Sequence, residues 1–368
     1  MALANWAGLI SWRRAASAHW TERARLLWPV RFTAGLSVFL LPVLLNQAHW
    51  VWFPATQHRW MINGIAAFLG ALLGCYPFDH EIFPQLDFKK WRHQVVAGWG
   101  IRFGIWALLI GGILLMPEEA GLKMVIVIAL YLLIHLAIQW GLVLRYLRWV
   151  KFVGPASERL QRLVDAAATK MGVTPKDTCQ LAGPHATAFA FPTTHELLFS
   201  DRLLEICTDK EISAICCHEL AHLSESKTVL AGRLLGSLTM FPLIFIVPCI
   251  HYFDWPGLII PYLALFVIAR FSRFLSQRME KRADQIATGQ QLNEGVYARA
   301  LEKLYRENQI PAVNVNNRQT HPHLYDRMVA AGLTPDYPRP PKPRWFTLMG
   351  WLFFFVFVAL IVLGSFIE

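Results

Sequence analysis

The run Cys216-Cys217-His218-Glu219-Leu220-Ala221-His222 sets two imidazoles four residues apart, with a carboxylate directly after the first. On a helix, residues four apart share one face, so His218 and His222 can direct their rings at one metal ion. Zinc suits this donor set. Glu219, beside the two ligands, is placed to take a proton from an attacking water. The helix has its own start signal, because Thr208-Asp209-Lys210-Glu211 reads as a capping box. The bland alternative is a pair of helix-surface histidines and a solvated glutamate.

A catalytic zinc takes three protein ligands and keeps one position open. Downstream, Glu280-Lys281-Arg282-Ala283-Asp284 again places two acids four apart on a helical face. Glu280 would complete a His-His-Glu set for one zinc per chain. Asp284 would accept the far N–H of a ligand histidine and fix its tautomer. Against this stands a simple surface pair of Glu280 with Lys281 or Arg282.

The elements that must carry these residues belong to a membrane protein. Of 368 residues, 55% are hydrophobic and 16% charged, against about 25% charged in soluble domains. The mean hydropathy is +0.36. These values exclude a disordered chain and argue against an ordinary soluble enzyme. Seven apolar runs approach or reach the ~20 residues that cross a bilayer: Phe32–Ala48, Met61–Phe78, Val96–Met116, Met124–Leu144, Val229–Ile250, Trp255–Phe271 and Trp345–Ile367. The net charge of +10 comes from Lys and Arg beside these runs, which points to a lipid bilayer as partner and not to nucleic acid.

Arg13, Arg14, Arg23, Arg25, Arg31, Lys89, Lys90 and Arg92 fall on one side, against Arg59 and Lys123 on the other. The positive-inside rule then puts the N-terminus and both large polar stretches in the cytoplasm. Arg102, Arg233 and Arg270 fall near the cytoplasmic ends of their spans, where long side chains snorkel. The expected organisation is a basic segment 1–31, read as an interfacial amphipathic helix or a simple tail. A four-span region 32–144, a catalytic part 145–228, a two-span hairpin 229–271, a second catalytic part 272–344 and a last span 345–368 follow. Tyr337–Arg344 is a proline-rich linker. The six cysteines show no C-x-x-C pair and read as reduced packing residues, and no secretory signal peptide is read.

Four stretches make the chain resemble the integral-membrane zinc metalloproteases that include the heat-shock protease HtpX and the CAAX prenyl proteases. They are H-E-L-A-H at His218–His222, E-K-R-A-D at Glu280–Asp284, T-A-F-A at Thr187–Ala190 followed by Glu196 to Leu204, and Thr320-His321-Pro322-His323 with Arg327. The resemblance implies peptide-bond hydrolysis, Glu280 as third ligand, and a bacterial inner-membrane location with a cytoplasmic site. It departs at Thr187, where the family carries an asparagine expected to contact substrate backbone.

The expected fold is therefore mostly α: a polytopic helical membrane protein of about seven spans, with a cytoplasmic zinc-metalloprotease domain carrying a small β-hairpin. Glu219 is the expected base, with His321 and Arg327 as candidate oxyanion donors. Thr187, Ala188, Phe189 and Ala190, within the extended segment Ala186–Phe191, are expected either to offer an edge to a substrate strand or to form an ordinary hairpin under the helix. The expected substrates are membrane or membrane-associated polypeptides. His185, His195 and His323 read as surface histidines, and His135 as a neutral, hydrogen-bonded residue within a span. Two other classes compete: a catalytically silent membrane scaffold, and a membrane di-iron oxidase. The oxidase would need clustered histidine boxes that the sequence lacks.

Overall fold

The computed structural model describes residues 9–33, 59–291, 293–315 and 322–348, together with residues 351, 352, 355 and 359. Four of its helices are long and apolar enough to cross a membrane: Phe88–Leu115, Leu122–Trp149, Lys227–Phe253 and Trp255–Gln290. They coincide with the third to sixth apolar runs. Their side chains face outward, and only 6% of the most apolar stretch of Leu122–Trp149 is buried. That suits helices solvated by lipid, since a water-soluble surface of this kind would aggregate. Met61–Phe78 lies inside the helix Arg59–Ile82, which is not one of the four. Phe32–Ala48 lies almost wholly, and Trp345–Ile367 largely, outside the described residues.

Between the two helix pairs sits a sheet with more strands than the expected hairpin. Its strands are β1 (Val153–Pro155), β2 (Asp177–Leu181), β3 (Ala188–Phe191) and β4 (Glu196–Ser200), in the order β1-β2-β4-β3. β4 pairs parallel with β2 and antiparallel with β3, so β3 is an edge. Every residue of β4 is buried. Leu197 and Phe199 share a core with Leu160 and Val164 of the helix Glu158–Met171 and with Ile212 and Leu220 of the motif helix, Asp209–Leu223. Burying side chains of this size is worth about 1.5–3 kcal/mol each. Cys216 and Cys217 lie in the same core, as expected of packing residues, and no cysteine is in a disulfide.

The sheet is tied to the membrane helices in two places. Arg148, at the end of Leu122–Trp149, donates to Glu196 at 2.8 Å and Asp177 at 2.7 Å. The same span is interrupted at Ile138–Leu142, where Gly141 takes φ +90°, a conformation glycine reaches without a Cβ penalty. The turn between β3 and β4 docks at this break, with Thr193 Oγ1 donating to the Gln139 carbonyl at 2.6 Å. Nearby, His135 Nε2 and Ser237 Oγ are 2.8 Å apart, so the intramembrane histidine is hydrogen-bonded as expected.

The N-terminal segment corrects its sequence reading. Residues 20–33 are helical, but the helix neither lies free on a membrane surface nor trails as a tail. Leu9, Trp12, Leu27 and Val30 pack with Phe78, Ile82, Phe83 and Trp91, and Arg13 pairs with Glu81 at 2.5 Å. Arg31 donates to the carbonyls of Asn308 (2.9 Å) and Gln309 (3.2 Å). The apolar face expected to meet lipid is spent on protein.

Candidate metal centre

The motif helix starts where its sequence says. Thr208 and Glu211 form the reciprocal capping box, and Lys303 holds Glu211 at 2.7 Å. The helix is buried on nearly every side, so its polar residues point into a prepared site and not into water. His218, Glu219 and His222 are buried, as is Glu280 from the facing helix Ile259–Gln290. One donor atom each from His218, His222 and Glu280 lies within 4.8 Å of the others, and this is the sole such group among the described residues. His218 Nε2 is 3.7 Å from Glu280 Oε2, and His222 Nε2 is 3.5 Å from Glu280 Oε1. Two ligands of one tetrahedral zinc, each about 2.1 Å from it, stand ~3.4 Å apart. The donor set thus fits a single zinc with little movement. Glu280 is buried and not on the surface, and Arg282 clips the C-terminal end of the motif helix, donating to Ala221 O and Ser224 Oγ, both at 3.0 Å.

Each histidine is braced through Nδ1, which leaves Nε2 for the metal. Tyr297 donates its proton to Asp284 Oδ1 at 2.6 Å. Its oxygen is therefore free to accept from His218 Nδ1–H at 2.7 Å and from Arg327 Nη2 at 3.1 Å. Burial pushes the Tyr297 phenol well above its ordinary value, so that proton stays in place. Asp284 itself lies 3.3 Å from His218 Nδ1, which matches its expected part. At the other histidine, His222 Nδ1 meets Glu225 Oε1 at 2.9 Å, and Arg233 pairs with Glu225 at 2.5 Å. Burial disfavours a charged His222, but Glu225, Glu280 and Glu219 outweigh it and push the ring up to about 9. A metal ion must displace that proton.

The other expected site residues divide. Arg327 is buried and lines the cavity; one edge of its guanidinium grips Asp284, with Nε donating to Oδ2 at 2.8 Å and Nη2 to Oδ1 at 2.7 Å. Through Asp284 and Tyr297 it braces His218. His321 lies outside the described residues. His323 is buried, contrary to the surface reading, because its Nδ1 accepts the Asn314 N–H at 3.0 Å. His185 is half-buried against Phe83, ring centroids 4.7 Å apart, and burial and then Arg31 lower it to about 4. His195 is exposed as expected. Arg102 and Arg270 are exposed at their spans, and Arg233 reaches back past the start of its span to Glu225. Sequence reasoning missed Tyr297, Glu225 and Arg233. Only Glu225, three residues past His222, carried a local signal.

A cavity of about 400 Å³ opens beside the ligands, lined by Glu219 and by Thr187, Ala188, Phe189 and Ala190. Thr187 turns its backbone to β4, donating to Ser200 Oγ and accepting from Ser200 N–H, both at 2.9 Å. Alternation then turns the N–H and C=O of Ala186, Ala188 and Ala190 to the open edge. At Ala186 both are taken by the Asn308 side chain, at 3.0 and 2.6 Å. The edge offered to another strand is thus Ala188 and Ala190, over the metal-ligating residues.

No curated protein matches the chain. The stretch that holds β2 to β4, the motif helix, Glu280, Asp284, Tyr297 and Arg327 does match a known family: residues 156–332 are similar to peptidase family M48.

Proposed function

We propose that the protein is a zinc-dependent membrane endopeptidase of the branch that includes HtpX and the CAAX prenyl proteases. It hydrolyses peptide bonds of membrane or membrane-associated polypeptides at the cytoplasmic face. The observation that carries this reading is the convergence of His218, His222 and Glu280 on one point, with Glu219 in the same cavity as an open strand edge. The family match supports it, since the M48 family comprises zinc metallopeptidases.

His218, His222 and Glu280 would hold one zinc. When bound, it supplies Lewis-acid polarisation of the scissile carbonyl and raises the acidity of the attacking water. Glu219 takes the proton of that water and passes it to the leaving amine nitrogen. Ala188 and Ala190 align the substrate backbone by strand addition. Thr187, in place of the family's asparagine, contributes a shorter hydroxyl beside that backbone. His321 and Arg327 remain the candidate donors to the developing oxyanion.

The position of the site along the apolar helices supports membrane substrates. Glu280 lies nine residues past Phe271 on an unbroken helix, about 14 Å along its axis. The β3–β4 turn meets Leu122–Trp149 at Gln139, seventeen residues from Leu122 and so about 25 Å along a ~30 Å hydrocarbon core. The open edge thus begins close to the bilayer boundary. The Lys and Arg asymmetry supports a cytoplasmic face.

The deciding experiment compares the purified protein with Glu219→Gln and Glu280→Ala in proteoliposomes carrying a membrane-tethered polypeptide. Glu219→Gln is expected to keep one zinc and lose at least a hundredfold in hydrolysis, the range for a missing general base, while Glu280→Ala loses the zinc itself. Hydrolysis that survives Glu219→Gln would refute the assignment and favour a silent scaffold with a contaminating activity.

A further inference from the structure

The open edge of β3 is short because the chain itself fills part of it. By strand alternation Ala186, Ala188 and Ala190 turn their N–H and C=O away from β4, and all three line the cavity. At Ala186 the place of a partner strand is taken. The Asn308 carboxamide carries the same donor and acceptor as a peptide unit. It meets Ala186 as a strand residue would, accepting from the N–H at 3.0 Å and donating to the carbonyl at 2.6 Å. Its backbone is held on both sides. Asn308 follows the last residue of the helix Val296–Glu307, and its N–H donates to Leu304 O at 3.0 Å. Glu307, just before it, is gripped at 2.7 Å by Arg202 of the helix Asp201–Ile206, which follows β4. The Asn308 carbonyl accepts from Arg31 at 2.9 Å. Arg31 belongs to the N-terminal helix, well outside the matched residues 156–332.

We propose that Asn308 is a specificity-determining residue that ends the substrate strand. By imitating a strand residue at Ala186 it confines strand addition to Ala188 and Ala190, and Arg31 is the positioning residue behind it. This rests on the peptidase reading and deepens it by naming the shape of the substrate. Pairing with two β3 residues two positions apart engages about three consecutive substrate residues, ~7 Å of extended chain. Past Ala188 the substrate meets Asn308 and must end or leave the plane of the sheet. The substrate class is therefore a polypeptide that offers a short extended stretch beside structure of its own, as a chain does where it leaves a membrane helix, and not a long unfolded strand.

The test uses the full chain with Glu219→Gln in lipid vesicles. Its probe is a fluorescent single-span peptide bearing a ten-residue segment of one fixed sequence on its cytoplasmic side, together with copies N-methylated at each amide of that segment in turn. The bond cut by the Glu219 parent fixes the register. In the Glu219→Gln protein, methylation should weaken binding at two amides two residues apart, each about fivefold, the effect of one uncharged hydrogen bond. In Asn308→Ala, with the Ala186 groups freed, a third amide two residues further along should become sensitive to the same degree. Arg31→Met should make that third amide sensitive in part. Zinc content and unfolding temperature identify a folded variant. Should Asn308→Ala fail to fold, Asn308→Asp replaces it, since it sets an oxygen against the Ala186 carbonyl and opens the stop with the helix end intact. An unchanged pair of sensitive amides in the folded Asn308 variant overturns the proposal and leaves the peptidase reading standing, and an unchanged pair in Arg31→Met overturns the part given to Arg31. Failure of the Glu219 parent to hydrolyse the probe overturns the peptidase reading and leaves the methylation patterns to judge Asn308.

Discussion

The two ligand histidines sit four residues apart on one helix, yet they are braced in opposite ways. His218 leans on Asp284, Tyr297 and Arg327, which come from three separate helices, Tyr297 and Arg327 buried and Asp284 half-buried. His222 leans on Glu225, three residues along, and through it on Arg233 at the start of the next span, whose side chain is 29% exposed. The first brace assembles only when distant parts of the chain have folded onto one another. The second is nearly local. One ligand therefore reports on tertiary structure and the other on the junction between the motif helix and the bilayer.

If that contrast holds, the largest effect should come from Arg327. Arg327→Met leaves the half-buried Asp284 without its cationic partner and is expected to destabilise the protein by about 3 kcal/mol. Thermal unfolding of the zinc-free protein measures this without interference from the metal. A loss below 1 kcal/mol would mean that the His218 brace is not a unit. Next in size, Asp284→Asn should weaken zinc binding about 10- to 100-fold, read by titration against a competing chelator. Glu225→Gln should weaken it as well, but with less change in unfolding temperature, since its network is short. Equal unfolding shifts would erase the distinction.

The pH dependence sharpens the local side. His222 is raised to about 9 by its carboxylates, so below that value one proton must leave for each metal bound. Zinc affinity should therefore rise about tenfold per pH unit from pH 7 and level off as pH passes about 9. In Glu225→Gln, with one of those carboxylates gone, the levelling should come at lower pH. The smallest effect belongs to Arg233→Ala. As a partly solvated ion pair it is expected to cost about 1 kcal/mol or less and to shift zinc affinity only slightly. A large loss would show that Glu225 depends on Arg233 for its position.

The same contrast decides what could be read in the sequence. The motif helix was legible because its signals are local: the capping box at Thr208 and the four-residue spacing of His218 and His222. Asp284 was legible for the same reason, one turn from Glu280. Tyr297 was not, because in Val296–Glu307 it occupies an apolar position of an amphipathic pattern and reads as ordinary core. Arg233 was legible only as a charge near the end of a span, and the structure supplies Glu225 as its partner. The spans from 88 to 290 followed from apolar length. By contrast β1 is three residues containing glycine and proline, with no alternation to announce a strand. The hold of Arg31 on Asn308 left no trace, since a contact between residues 277 positions apart has no period.

The unbroken helix from Ile259 to Gln290 carries a consequence in time. It anchors the protein at one end and delivers Glu280 at the other. During synthesis the two histidines leave the ribosome first, and their third partner follows only after the stretch from Lys227 to Phe271 has been made. Until that hairpin is threaded into the bilayer and turns the chain back, two imidazoles stand alone and hold zinc weakly. On the proposed peptidase reading, a nascent chain of this design stays inert while it is still being built, and its own insertion is the event that arms it.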